Sequence, residues 1–263
     1  MSVFDHVRDV TVGSGRLFFA ELDTNGNPKG YKYLGDSEGF SISASTEQVE
    51  SWSGDGPVAE RMISKTVAVE YTFDLVLNEV SERNFGLFLL GSDGARAQGA
   101  LTAEAYVISV NQGEYYEIGA TAANPAGVKE ITNVVVTDGG ATTYDINDDY
   151  KIDLATGTIY IVEGGAIASG SAENITVTCD VPAKSYSKAD TSAQGRPNVA
   201  IRYIEDTNEG IERDLFMINV DLRPEGSVEF KSRDTHQQIP LAGVALVGRD
   251  GSPAIRIERR VGA

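Results

Sequence analysis

Apolar and polar residues alternate with a period of two over several long stretches of the chain, and this alternation predicts β-strands. The longest such stretch covers residues 66–77. One of its faces carries Val67, Val69, Tyr71, Phe73, Leu75 and Leu77, and the other carries Thr66, Ala68, Glu70, Thr72, Asp74 and Val76. A helix would spread these apolar side chains around its axis. The pattern therefore predicts a long strand with one buried face and one hydrated, partly acidic face.

Four further segments are predicted strands. In residues 40–47, Phe40, Ile42 and Ala44 alternate with Ser41, Ser43, Ser45 and Glu47. In residues 216–223, Phe216, Ile218, Val220 and Leu222 alternate with Met217, Asn219, Asp221 and Arg223, and we expect the first set to be buried. Residues 16–22 and 31–34 are predicted strands joined by a turn that is rich in Gly and Asn. The sequence therefore predicts a mainly β protein.

One segment, residues 81–90 (SERNFGLFLL), has helical periodicity instead. Ser81 is a suitable N-cap, and Gly91 follows as the predicted C-cap. Phe85, Phe88 and Leu89 recur at helical spacing. We expect this single helix to pack its aromatic side chains against the apolar face of the sheet.

The middle of the chain differs from both ends in amino-acid composition and in the length of its candidate strands. Residues 105–182 are rich in Thr, Val, Gly and Ala, with short candidate strands at 133–137, 158–162 and 174–179. Short strands separated by glycine turns predict a small β-sandwich. Residues 184–195 read as a polar, turn-rich junction. We therefore predict a discontinuous core domain, residues 1–104 and 183–263, with the sandwich inserted at 105–182.

Composition narrows the function. The 263 residues include 22 Lys+Arg and 39 Asp+Glu, a formal net charge of −17, which argues against a groove that binds nucleic-acid phosphates. The only cysteine is Cys179 and the only histidines are His6 and His236, too few for a disulfide, a structural zinc site or His-based catalysis. The amino terminus lacks signal-peptide features, and no apolar run approaches the roughly 18 residues of a membrane span. We expect a soluble protein made in a reducing cytoplasm.

Candidate catalytic and metal motifs are incomplete. Asp23, Asn25 and Asn27 have the spacing of a calcium loop, but Pro28 replaces the glycine at the bend and Leu34 the closing glutamate. The second such series is Asp145, Asn147 and Asp149, with Tyr150 at the bend and Thr156 at the end. Both are predicted to be plain turns. Glu70 and Asp74 could be a general acid and base, but a hydrated strand face explains them more simply. We predict no catalytic residue, metal ligand or cofactor site, and hence no enzyme.

The run LGDSEGFSIS at 34–43 precedes an acidic stretch, the strand TVAVEYTFDL at 66–75 and then VSERNFGLFLLG at 80–91. This order of segments resembles that of the major tail-tube proteins of long-tailed bacteriophages. The closing segments IRYIED at 201–206 and MINVDL at 217–222, joined through a turn at 208–210, are similar too. Residues 149–153 (DYKID) and 156–160 (TGTIY) look like a β-module that decorates some of these proteins.

The resemblance implies a structural protein. Its fold would be a barrel-forming β-sandwich with one flanking helix, plus the inserted module. Copies would form rings, which are usually hexameric in this family, and the rings would stack into a hollow tube through which the genome is ejected. The implied partners are further copies of the chain, the tape-measure, tail-terminator and distal tail proteins, and DNA in transit, with no membrane. The implied location is the virion tail, after synthesis in the host cytoplasm.

Two groups of residues receive roles from this picture. Those expected to line the lumen are Ser43, Ser45, Glu70, Thr72 and Asp74, with Asn219 and Asp221 as further candidates. The hydrated side of Asn219 and Asp221 could instead be an outer surface. Residues 48–63 are expected to form a loop that reaches the neighbouring ring, with Trp52, Val58 and Met62 as its apolar contacts; ordinary local packing of the loop is the alternative.

Two other functions stay open. A cell-surface adhesin or carbohydrate-binding β-sandwich protein would use exposed tyrosines, with Tyr144 and Tyr150 as the best candidates. A glycosidase would need two carboxylates facing each other in a cleft.

Overall fold

The computed structural model describes residues 13–168, 173–191, 198–206 and 212–260. Within them the chain forms sixteen strands and one helix, so the mainly β prediction is confirmed. The strands are β1 Gly15–Glu21, β2 Lys32–Tyr33, β3 Ser37–Trp52, β4 Arg61–Leu77, β5 Ser92–Gln98, β6 Leu101–Val110, β7 Tyr115–Glu117, β8 Thr132–Thr137, β9 Tyr150–Asp153, β10 Thr158–Ile161, β11 Glu173–Val181, β12 Lys184–Asp190, β13 Val199–Glu205, β14 Arg213–Pro224, β15 Ile239–Leu246 and β16 Arg256–Arg259. The helix, α1, is Glu82–Phe88.

The chain divides into two compact units. The described residues up to Gly94 and from Lys188 onward form the first unit, and Ala95–Ser187 form the second. The inserted unit is thus longer at both ends than the predicted 105–182. The predicted junction at 184–195 is a strand, β12, over Lys184–Asp190, where it pairs with β5. Residues 192–195, the predicted turn at 208–210 and His6 lie outside the described residues.

The first unit is built on one antiparallel sheet with the strand order β2-β1-β13-β14-β15-β4-β3, and β16 pairs with β14. The sheet curves back on itself, since the rings of Phe40 in β3 and Tyr203 in β13 lie 5.6 Å apart although their strands are four places apart in the order. This curvature encloses a core that includes Phe19, Phe73 and Met217. The strands therefore supply both walls of one core.

Helix α1 begins where the sequence predicts. The Ser81 side chain accepts a hydrogen bond from the Asn84 backbone N–H, at 3.3 Å, which caps the first turn. Leu87, not singled out from the sequence, is fully buried in the core, and the predicted contacts Phe85 and Phe88 are partly buried against it. The helix ends two residues early, and the left-handed residue after it is Leu90, with φ 50°, rather than Gly91.

The amphipathic pattern of β4 is buried only along half its length. Phe73, Leu75 and Leu77 are buried, whereas Val67, Val69 and Tyr71 are 52%, 50% and 37% exposed. The reason is the partner strand, because β15 pairs with β4 only from Tyr71 to Leu77. The prediction of one continuous buried face is therefore wrong for the part of β4 that precedes Phe73. There, β3 and β4 extend past the core as a two-stranded hairpin.

The predicted alternation in β14 is also wrong in its first half. Leu215 and Met217 are buried in place of Phe216 and Ile218, while Val220 and Leu222 are buried as predicted. A register shift explains the change, since Val199 pairs with Val220 but Ile201 pairs with Met217. The extra residue in β14 reverses the side-chain parity on either side of the bulge.

The second unit contains two three-stranded antiparallel sheets, β7-β10-β9 and β6-β11-β8. Side chains from both sheets share one core, among them Ile159 and Ile161 of β10 and Ile175 and Val177 of β11, all fully buried. The three strands predicted in this region are confirmed as β8, β10 and β11. Two sheets packed on a common core form the predicted small β-sandwich.

Candidate functional site

A row of paired residues crosses four strands of the first unit and is polar at three of its four positions. Ser43 pairs with Thr72, Thr72 with Val244, and Val244 with Asp221. Residues paired directly across antiparallel strands point to the same face of a sheet. The sheet therefore places Asp221 on the same face as Ser43 and Thr72, although it lies far from both in the sequence.

The rows on either side of this one extend the same face. Towards the end of the hairpin, the next row is the pair Ser45 and Glu70. On the other side, the next row consists of Ser41, Asp74, Ala242 and Arg223. Thr72 is partly buried and the polar side chains beside it are exposed. We call this surface the polar face; its members are Ser41, Ser43, Ser45, Glu70, Thr72, Asp74, Asp221 and Arg223. Arg223 was not among the predicted lumen residues, although its position two residues after Asp221 was a signal for it.

The side-chain amide of Asn219, a predicted lumen residue, forms hydrogen bonds within the subunit. Asn219 lies two residues before Asp221, and its side chain is half-buried. The Asn219 Oδ1 accepts a hydrogen bond from Asn198 Nδ2 at 2.7 Å, and its Nδ2 donates to the Val247 carbonyl at 3.0 Å. Its amide thus ties β14 to the residues flanking β13 and β15.

The opposite face of the hairpin is apolar. Thr46 pairs with Val69, Ala44 with Tyr71 and Ile42 with Phe73. We call its exposed part the apolar stripe, consisting of Ile42, Ala44, Val67, Val69 and Tyr71. At the base of the stripe, Ile42, Ala44 and Tyr71 border a groove whose other wall is Pro253, Ala254, Ile255 and Ile257. An exposed apolar surface of this length is typical of a protein–protein contact.

The hairpin also leaves strand edges unpaired. Among the described strands, β3 pairs only with β4, so one edge of this sixteen-residue strand has no partner. The outer edge of β4 lacks a partner before Tyr71, and β14 has no β13 partner after Val220 in the part of the chain that is described. Long, uncovered edges of this kind are templates for pairing with another chain.

The end of the hairpin differs from the predicted loop. The strands continue to Trp52 and from Arg61, so the connection is residues 53–60 and not 48–63. Trp52 and Met62 therefore lie in strands, and Val58 alone of the three predicted contacts lies in the connection. Val58, Met62 and Trp52 are 77%, 68% and 53% exposed. Part of the Trp52 surface is packed locally, since the Arg61 guanidinium lies 5.2 Å from its ring centroid.

The two calcium-like series are turns. Asp23 Oδ1 accepts hydrogen bonds from the backbone N–H groups of Asn25 and Asn27, both at 2.8 Å. Asp149 accepts from the backbone of Ala166 and then of Asp145, at 2.7 and 2.8 Å, and these bonds hold the pKa of its carboxyl below the usual value. Both carboxylates serve the local backbone. In the described ranges there is no group of three or more His, Cys, Asp or Glu residues that could hold a metal ion.

The tyrosines proposed for an adhesin are not on the surface. Tyr144 and Tyr150 are 6% and 5% exposed and belong to the core of the second unit, so their assignment as exposed binding residues is wrong. Tyr115, in contrast, is 72% exposed. Tyr144 lies between strands and Tyr150 is the first residue of β9, so strand alternation gave no information on whether these side chains enter the core.

Comparison with known proteins places the chain in a family. No curated protein matches it. The structure, in the residues that it describes, has no helix that is long and apolar enough to cross a membrane. A family model described as "Protein of unknown function UCP028589" matches residues 10–203, which is more than half of the chain. The chain therefore belongs to the UCP028589 family of proteins of unknown function.

Proposed function

We propose that this protein is a structural subunit that assembles with copies of itself into stacked rings, forming the hollow tail tube of a phage or phage-like particle. The observation that carries the proposal is the β3–β4 hairpin, which extends past the core without further partner strands among those described. It combines the apolar stripe with an unpaired edge of sixteen residues. A second copy of the chain would cover both features at once.

The two faces of the hairpin suit a wall that has an inside and an outside. The apolar stripe and the polar face lie on opposite sides of the same two strands. When the stripe is buried against other subunits, the polar face stays open to water. A repeated, head-to-tail contact of this kind closes into a ring if the rotation between subunits divides a full turn. The polar face would then line a channel.

The charges of the polar face fit the passage of DNA. Glu70, Asp74 and Asp221 provide three carboxylates, against the single guanidinium of Arg223. B-DNA carries about one negative charge per 1.7 Å of its axis, so a predominantly acidic wall discourages adhesion. A basic wall would hold phosphates through counterion release. In this proposal the polar face therefore acts by weak repulsion and by hydration.

Electron microscopy of the purified, concentrated protein tests the proposal. We expect negatively stained samples to contain rings and hollow filaments built from stacked rings, because the apolar stripe is exposed and one edge of β3 has no partner among the described strands. A protein that stays monomeric at high concentration, across a range of salt and pH, would refute assembly by the chain alone.

Shortening the hairpin end should separate ring formation from stacking. We expect replacement of residues 53–60 by an Asn-Gly turn to give single rings without long tubes, because Val58 is lost while the pairing of β3 with β4 is kept. Particle length in micrographs is the measurement. A Val58→Ala variant, which keeps the connection at its full length, is the control. It should shorten the tubes less than replacement of residues 53–60 does. Tubes of normal length from the shortened hairpin would remove this segment from the ring-to-ring contact.

A further inference from the structure

The outward face of the sheet β7-β10-β9, in the second unit, carries two ordered rows of side chains. Tyr115, Tyr160 and Lys151 are cross-strand neighbours in one row, and Glu117, Thr158 and Asp153 form the next. Between them, Ile159 points inward and is fully buried. These six residues form what we call the tyrosine platform.

The aromatic row of the platform is open to solvent. The ring centroids of Tyr115 and Tyr160 are 4.6 Å apart with an angle of 39° between the ring planes, and Tyr115 is 72% exposed. Surface depressions lie on both sides of Tyr115, one lined by Tyr160 and Lys151 and the other by Val107 and Gly119. A tyrosine as exposed as Tyr115 contributes little to the core, although the sheet holds both rings in a defined position.

The polar row is fixed by its own hydrogen bonds. The Thr158 hydroxyl donates to the Glu117 carboxylate at 2.9 Å, and the Thr156 hydroxyl donates to Thr158 Oγ1 at 3.0 Å. Asp153 Oδ1 accepts from the backbone N–H of Ala155 at 2.9 Å, which holds its carboxylate at the end of β9. The platform therefore presents hydrogen-bond acceptors at set positions beside two aromatic rings.

We propose that the tyrosine platform binds a neutral, gluco-configured glycan. Such a sugar has an apolar C–H face that can stack on an aromatic ring, and hydroxyl groups around its rim that can donate to Glu117 and Asp153. The two carboxylates repel acidic polysaccharides and nucleic acids. A second copy of the chain fits poorly, because the apolar part is two rings, while a stable interface buries about 800 Å² on each partner.

This inference is independent of tube assembly, because it concerns a different unit and a ligand rather than a second copy. Isothermal titration of the full chain with cellopentaose tests it, with a hyaluronan oligosaccharide as the acidic counterpart. We expect cellopentaose to bind with a dissociation constant on the order of 1 mM and hyaluronan not to bind. Tyr115→Ala should weaken binding about tenfold, and Tyr115→Phe should retain it.

Tyr33→Ala is the matched control, since Tyr33 is 47% exposed but belongs to the first unit, and it should bind like the unmodified chain. Circular dichroism checks that each variant is folded. The proposal is overturned if the unmodified chain does not bind cellopentaose, if folded Tyr115→Ala binds as tightly as the unmodified chain, or if hyaluronan binds equally well. None of these outcomes depends on whether tubes form.

Discussion

Val69→Asp is expected to abolish assembly while leaving the subunit folded. Val69 is 50% exposed and its cross-strand partner is Thr46, so a carboxylate at this position stays hydrated in the free subunit. In an assembled ring the same carboxylate would be buried in an apolar contact without a counter-charge, at a cost of several kcal/mol for each subunit. Sedimentation velocity should show only monomers, and the urea midpoint should change by little.

The matched control for this variant is Ser43→Asp. It adds the same charge to the same hairpin, but on the polar face, where Ser43 is exposed and pairs with Thr72. We expect this control to assemble as the unmodified chain does. Tubes of normal length from Val69→Asp, or a loss of assembly in both variants, would contradict a contact made specifically by the apolar stripe.

Reversing two charges on the polar face should convert a channel that lets DNA pass into one that retains it. In the Glu70→Lys, Asp74→Lys double variant we expect intact tubes, because both side chains point away from the apolar stripe. Each lysine that contacts a phosphate adds about 0.9 to the slope of log affinity against log salt concentration. DNA should therefore bind these tubes tightly at low salt and be released as salt rises, and genome delivery should fall.

Retention of short duplex DNA by purified tubes, measured as a function of salt concentration, checks this expectation. The charge-matched control is Glu225→Lys with Asp234→Lys, two exposed acidic positions outside the polar face. It should retain much less DNA than the polar-face variant. Equal retention by both variants, or normal infectivity of particles built from the polar-face variant, would remove these residues from the lumen.

The sequence predicts the hairpin well because strand parity is local. Alternation alone assigns Ser43, Ser45, Glu70, Thr72 and Asp74 to one face, and the register confirms that they share it. The place where burial stops could not be predicted in this way. It depends on β15, which pairs with β4 only from Tyr71 to Leu77. The two strands are more than 160 residues apart in the sequence, so the pattern within β4 cannot show where this pairing starts.

Other errors have equally specific causes. Residues 48–52 and 61–63 (QVESW and RMI) lack a strict alternation of polar and apolar residues, yet pairing between β3 and β4 holds them in strands, with register shifts at Gln48 and Trp52. The bulge in β14 leaves no mark in the alternation of that segment, because the four consecutive residues from Leu215 to Ile218 are all apolar. The two turn series and the N-cap Ser81, which depend on few neighbours, were predicted correctly, whereas the predicted C-cap Gly91 was not.

The position of Trp52 gives the chain a built-in optical reporter. It is the only tryptophan, it lies in the last pair of the hairpin, and it is half-exposed beside the Arg61 guanidinium. Its fluorescence therefore originates from a single residue, which belongs to neither core. Emission wavelength and quenching by iodide follow events at that tip directly, so the kinetics of subunit association can be recorded without attaching a dye.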